Sequence, residues 1–231
     1  MQFKLTFFIL LAFFSTAQAQ KILFVGNSLT YTNNMPSILE NIGKSNGFDI
    51  TTQCICKPNY GLEDHINEGL VAPELRKTQY DFVIFQQGPS SQAYGRKSLL
   101  EYGKQLSVMA LANHATPAYL MVWPSTTYYQ TFDGVIKNHT DAAKSNGSIL
   151  IPLGIVWQKF NQEHKEYELY GPDGFHPSRL GSLLEALVIL KSIAPEIDLN
   201  TLNGRAITNS FKNKDKVEEF LKLVSLYLSE L

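Results

Sequence analysis

Five short strand-like runs, alternating with stretches of helical spacing, constrain the fold of this chain more than any other feature. The runs are Lys21 to Val25, Phe48 to Ile55, Asp81 to Phe85, Ala118 to Trp123 and Ser148 to Leu153. The third, DFVIF, is almost continuously apolar, as expected of a strand covered on both faces. Helical spacing marks Met35 to Ser45, Pro73 to Thr78, Lys97 to Asn113, Val135 to Ser145, Ser178 to Ile193 and Lys214 to Leu231. Strands that alternate with helices form βαβ units, whose strands lie parallel. The expectation is an α/β fold built on a parallel sheet.

The 231 residues suit one domain. With 20 basic and 21 acidic residues the net charge is -1, so no electrostatic ground exists to expect nucleic acid or an anionic membrane surface as partner. At the N-terminus Lys4 precedes the apolar run Leu5 to Phe14, and Ala17-Gln18-Ala19 offers a small-x-small cleavage site. That pattern predicts a signal peptide over 1–19 and a single domain with a C-terminal helix over 20–231. The mature protein is then secreted or periplasmic, and no later segment is apolar enough to insert stably in a membrane. The two cysteines, Cys54 and Cys56, share one face of a strand. A bridge across the single intervening residue is expected to be strained, so two buried thiols are the favoured reading and a vicinal redox pair the lesser one.

In a parallel sheet, ligands bind beyond the carboxyl ends of the strands. The first strand runs directly into Gly26-Asn27-Ser28-Leu29-Thr30. Glycine permits a tight turn there, and Ser28 falls at a helix start whose N–H groups can stabilise an oxyanion. The turn lacks the glycine fingerprints of dinucleotide or phosphate binding, and it is not Gly-x-Ser-x-Gly. By itself, such a serine is more often a helix cap than a nucleophile. A second loop changes the balance: Tyr170-Gly-Pro-Asp173-Gly-Phe-His176-Pro-Ser178. A catalytic histidine needs an acceptor on its other ring nitrogen, and Asp173 stands three residues before His176. The plainer alternative is that Asp173 shapes a turn and Ser178 caps a helix.

Together these two segments resemble the first and last conserved blocks of the SGNH (GDSL-like) hydrolases. The resemblance spans about Lys21 to Ser192 and is closest to secreted bacterial members, mostly without an assigned substrate. It implies a three-layer αβα sandwich with a flavodoxin-like parallel sheet. It also implies a Ser-His-Asp mechanism on esters, with Ser28 as nucleophile, His176 as base and Asp173 as its orienting partner. Asn27 stands where the family usually has Asp. Gly61 stands where the family's second block supplies an oxyanion N–H. The usual Gly-x-Asn-Asp block is missing, and the third strand ends in Gln86-Gln87-Gly88, similar to sialate-O-acetylesterase-like members. The oxyanion hole implied is therefore Ser28, Gly61 and Gln87, with Gln86 as the alternative to Gln87.

Trp123, Tyr128 and Tyr129 follow the fourth strand and could wall a sugar-sized pocket; packing is the plainer role for each. The remaining histidines, His65, His114, His139 and His164, form no metal-ligand spacing, so neither metal nor cofactor is expected. The expected substrate is a small-molecule or glycan ester, with O-acetyl groups on carbohydrate ahead of lysophospholipid or short-chain lipid. A non-catalytic glycan-binding protein on a hydrolase scaffold is the rival of another class. Nothing in the sequence fixes an oligomeric state.

Overall fold

The computed structural model describes residues 19–203, 207, 211 and 213–229. The expected signal segment, Ala19 apart, lies outside the described residues. Five strands form one sheet: β1 Gln20–Gly26, β2 Ile50–Cys56, β3 Phe82–Phe85, β4 Thr116–Leu120 and β5 Ile149–Ile151. They are ordered β2-β1-β3-β4-β5, and every pairing is parallel. The helices are α1 Ser28–Tyr31, α2 Met35–Ser45, α3 Leu62–Glu68, α4 Val71–Lys77, α5 Ala93–Ala112, α6 Phe132–Ser145, α7 Leu153–Glu163, α8 Arg179–Ile193 and α9 Lys214–Ser229.

The strands alternate between two cores. Ile22, Phe24, Ile84, Ala118 and Leu120 face one layer, packed with residues of α2, α7, α8 and α9. Leu23, Val25, Val83, Phe85 and Tyr119 face the other, packed with α3, α4 and α5. This period of two, covered on both sides, is the expected αβα sandwich. The strand order reverses direction at β1, which has β2 on one side and β3 on the other. That switch opens a crevice beyond the ends of β1 and β3.

Several elements differ from expectation; α3, for one, falls where the sequence pattern marks no helix. The fourth strand ends at Leu120 rather than Trp123, although Met121, Val122 and Trp123 are all fully buried. Its neighbour β5 stops at Ile151, so no ladder remains to extend; Met121 N–H still reaches Ile151 O at 3.1 Å, and Met121 O accepts from Gly154 N–H at 3.2 Å. Helix α7 was not expected at all. Pro152 ends β5 and opens the helix, and Leu153, Val156, Trp157 and Phe160 bury one face at i, i+3, i+4 and i+7. The apolar face was visible in the sequence, but Ser148 to Leu153 reads as one strand unless Pro152 is taken as a break.

The cysteines also depart from the favoured reading. Cys54 and Cys56 are joined by a disulfide, with Cα atoms 5.3 Å apart. Both side chains lie on one face of β2, an edge strand, and that separation falls inside the ordinary span of about 4.4–6.8 Å. The pair closes a local loop and forms no framework between distant parts of the chain.

Candidate active site

The turn after β1 is held by side chains rather than by ladder bonds. A Cβ on Gly26 would lie 2.7 Å from Gln86 Oε1 and 2.8 Å from Thr30 Oγ1, so only glycine fits. Asn27 caps α1: its Oδ1 accepts from Leu29 N–H at 3.0 Å. Its Nδ2 donates to Tyr60 O at 2.9 Å, a bond that an aspartate could not make. Gln86, at the end of β3, accepts from Asn27 N–H and Thr30 Oγ1, both at 3.0 Å, and returns a bond to Asn27 Oδ1 at 3.1 Å. Gln86 therefore locks the turn, and at 2% exposure it does not line the cleft. This role was not foreseen; the small residues packed around Gly26 were its only trace in the sequence.

His176 comes from a loop braced at several points. Gly171 N–H donates to His176 O at 2.7 Å and closes the loop. Gly174 has φ +66°, and a Cβ there would lie 2.4 Å from Thr126 Oγ1. Trp123 Nε1 donates to Phe175 O at 3.0 Å, and Asn33 Nδ2 donates to Pro177 O at 2.9 Å and Ser182 Oγ at 3.0 Å. Asn33 ties the histidine loop to the segment that follows Ser28, a link absent from any motif. Ser178 caps α8 by accepting from Gly181 N–H at 3.1 Å.

These two loops bring three expected residues into a line. Asp173 Oδ1 accepts from the N–H groups of Phe175 and His176, both at 3.0 Å. Asp173 Oδ2 lies 2.5 Å from His176 Nδ1, and His176 Nε2 lies 2.8 Å from Ser28 Oγ. The hydrogen bond from His176, followed by that from Phe175 N–H, lowers the Asp173 carboxyl to about 2. An ionised Asp173 requires the proton on Nδ1. Nε2 is then a lone pair facing the Ser28 hydroxyl.

The expected oxyanion donors fare differently from one another. Ser28 N–H, in the first turn of α1, has no acceptor among the described residues. Gly61 N–H lines the same cleft but donates to Asp64 Oδ2 at 2.8 Å. Gln87 does not offer its amide. Its Nε2 donates to Ser90 Oγ at 2.7 Å and Gly95 O at 3.0 Å, using both hydrogens. Its Oε1 accepts from Leu62 N–H at 3.2 Å and Ser98 Oγ at 2.7 Å. Because Leu62 N–H can only donate and Gly95 O can only accept, the amide cannot be turned round without losing both. Gln87 is a brace between β3, α3 and α5.

The cleft has two lobes that share Pro89 and Phe175. One, about 460 Å³, holds Ser28 with Asn59, Tyr60, Gly61, Glu63 and Tyr94. The other, about 740 Å³, is walled by Ser125, Thr127, Tyr128, Gln92 and Pro124, with Asp173 at its edge. Both sizes are those of small-molecule clefts. Tyr128 is 62% exposed in the larger lobe. Trp123 does not wall the cleft: it is fully buried, stacked on Trp157 with ring centroids 3.6 Å apart. Among the described residues, no group of three or more His, Cys, Asp or Glu could hold a metal ion.

No family model matches the sequence, and no curated protein matches it. Solved structures do. A protein from Slackia heliotrinireducens assigned as an SGNH hydrolase superposes with TM-score 0.67 and 25% identity, covering 77% of this chain and 100% of that one. The chain belongs to the SGNH hydrolase superfamily. This SGNH hydrolase also resembles a DUF4886 family protein from Bacteroides uniformis, with TM-score 0.67 and 15% identity over 90% of this chain and 93% of that one. A catalytic mutant of an acetylxylan esterase from Geobacillus stearothermophilus matches with TM-score 0.59 and 13% identity, over 77% and 96% of the two chains. The last two likenesses concern the fold.

Proposed function

We propose that this hydrolase is a secreted serine esterase that removes acetyl groups from carbohydrate. The observation that carries the reading is the line Asp173–His176–Ser28, with its 2.5 Å and 2.8 Å separations at the carboxyl edge of the sheet. His176 Nε2 takes the hydroxyl proton as Ser28 Oγ attacks the ester carbonyl. Asp173 keeps Nδ1 protonated and balances the imidazolium that forms. The tetrahedral oxyanion is met by Ser28 N–H, and by Gly61 N–H shared with Asp64. His176 returns the proton to the leaving alcohol, and water then releases acetate from Ser28 by the same steps in reverse.

The carbohydrate part of the reading rests on the larger lobe. Its hydroxyl and amide side chains surround the exposed ring of Tyr128, a surface suited to a sugar's polar rim and flatter face. An acetylxylan esterase among the structural neighbours is consistent with it. Among the described residues no helix is long and apolar enough to cross a membrane. The test compares acetyl and octanoyl p-nitrophenyl esters, together with acetylated xylo-oligosaccharide. Acetyl is expected to be preferred by about tenfold or more in kcat/KM, since each buried methylene that finds no apolar pocket forfeits its binding. A clear octanoyl preference, with no acetate released from the oligosaccharide, would replace this reading with a lipid esterase.

A further inference from the structure

The lobe that holds Ser28 contains two carboxylates, Glu63 and Asp64, and no lysine or arginine lines either lobe. Glu63 is fixed in place, because Tyr94 and Tyr102 each donate a phenolic hydrogen to it at 2.7 Å. These two bonds hold its carboxyl below the usual range. Asp64 is fixed by the Gly61 N–H, beside the oxyanion position. Asp173 adds a third negative group at the edge of the larger lobe. Lys97, on α5, is near enough to Glu63 to help lower its carboxyl, but it is largely exposed and pairs with Glu101 at 3.9 Å; Lys57 is held by Glu68, and Arg96 by Asp141 at 2.6 Å.

We infer that the site is charge-selective and takes esters that carry no anionic group near the scissile bond, with Glu63 as a specificity-determining residue. This deepens the esterase reading and rests on it. A phosphate or carboxylate brought to Ser28 would meet two fixed like charges and no lysine or arginine in the cleft lining. The chemical class is accordingly an uncharged ester, such as an acetylated neutral sugar. Sialic acid esters, which bear a carboxylate, and lysophospholipids, which bear a phosphate, fall outside it.

A matched pair of substrates tests the inference: 4-nitrophenyl butyrate and 4-nitrophenyl monosuccinate, whose acyl chains differ mainly in a terminal methyl or carboxylate. After correction for their rates with hydroxide, kcat/KM for the butyrate is expected to exceed that for the succinate by about tenfold at low ionic strength. The gap is expected to narrow in Glu63→Gln, and to narrow in the wild-type protein as salt is raised. Equal turnover of the two esters, or a gap that ignores both salt and Glu63→Gln, would overturn the charge selection while leaving the esterase reading intact. Absence of hydrolysis of either ester would remove that reading, and this inference with it.

Discussion

Replacing His176 by alanine is expected to lower kcat for an acetyl ester by about ten-thousandfold or more, with little change in KM. The size follows from its position. Its Nε2 lies 2.8 Å from Ser28 Oγ, where the proposed base must stand. Asp173→Asn separates geometry from proton placement. An asparagine oxygen can still accept from the N–H groups of Phe175 and His176, so the loop keeps its shape. Its amide would face Nδ1–H donor to donor, and the imidazole would favour the other tautomer. The expected loss is about a hundred- to ten-thousandfold, again in kcat. Wild-type Asp173, lowered to about 2, stays ionised throughout the neutral range. Steady-state kinetics of the two variants, with circular dichroism to confirm folding, check both statements. A His176→Ala enzyme within tenfold of wild type would contradict them.

Glu185→Leu is expected to raise stability by about 1–3 kcal/mol near pH 8. Glu185 sits in α8, a helix buried almost all round, with its side chain fully buried and neither oxygen hydrogen-bonded to any described residue. Burial pushes its carboxyl well above the usual range. The sign follows from proton binding. A folded-state value raised above the unfolded one leaves stability greatest below the unfolded value, near 4.5. As pH rises past that point the unfolded chain releases a proton that the native state retains, so stability falls until the folded value is reached. The gain from Glu185→Leu therefore grows with pH, and Glu185→Gln removes the pH dependence while keeping an unpaired polar group. Thermal melts should show about 2–4 °C per kcal/mol. A gain that is absent, or the same at pH 4 and pH 8, would contradict the account.

Much of the fold is legible in the sequence because the inner strands are covered on both faces and read as apolar runs. Ser28 and the Asp173-to-His176 loop are legible for a related reason: the sheet places both at its carboxyl edge, and the histidine carries its acceptor three residues away. What resisted reading depends on side-chain partners that no spacing reveals. Gln87 reads as an amide donor until Ser90, Gly95, Leu62 and Ser98 are seen to use all of it. Trp123 follows a strand end and reads as a cleft wall, but it packs on α7, an element hidden by the run across Pro152. The cysteine bridge was discounted on ideal strand spacing, whereas the Cα atoms stand at 5.3 Å.

The central claim is that Ser28 is a nucleophile activated by His176. The most direct measurement is to treat folded protein with a fluorophosphonate and map the adduct by peptide mass spectrometry. A single adduct on Ser28 is expected, lost in Ser28→Ala and slowed at least a hundredfold in His176→Ala. An unlabelled Ser28 in folded protein, or labelling that proceeds at the same rate without His176, would contradict it.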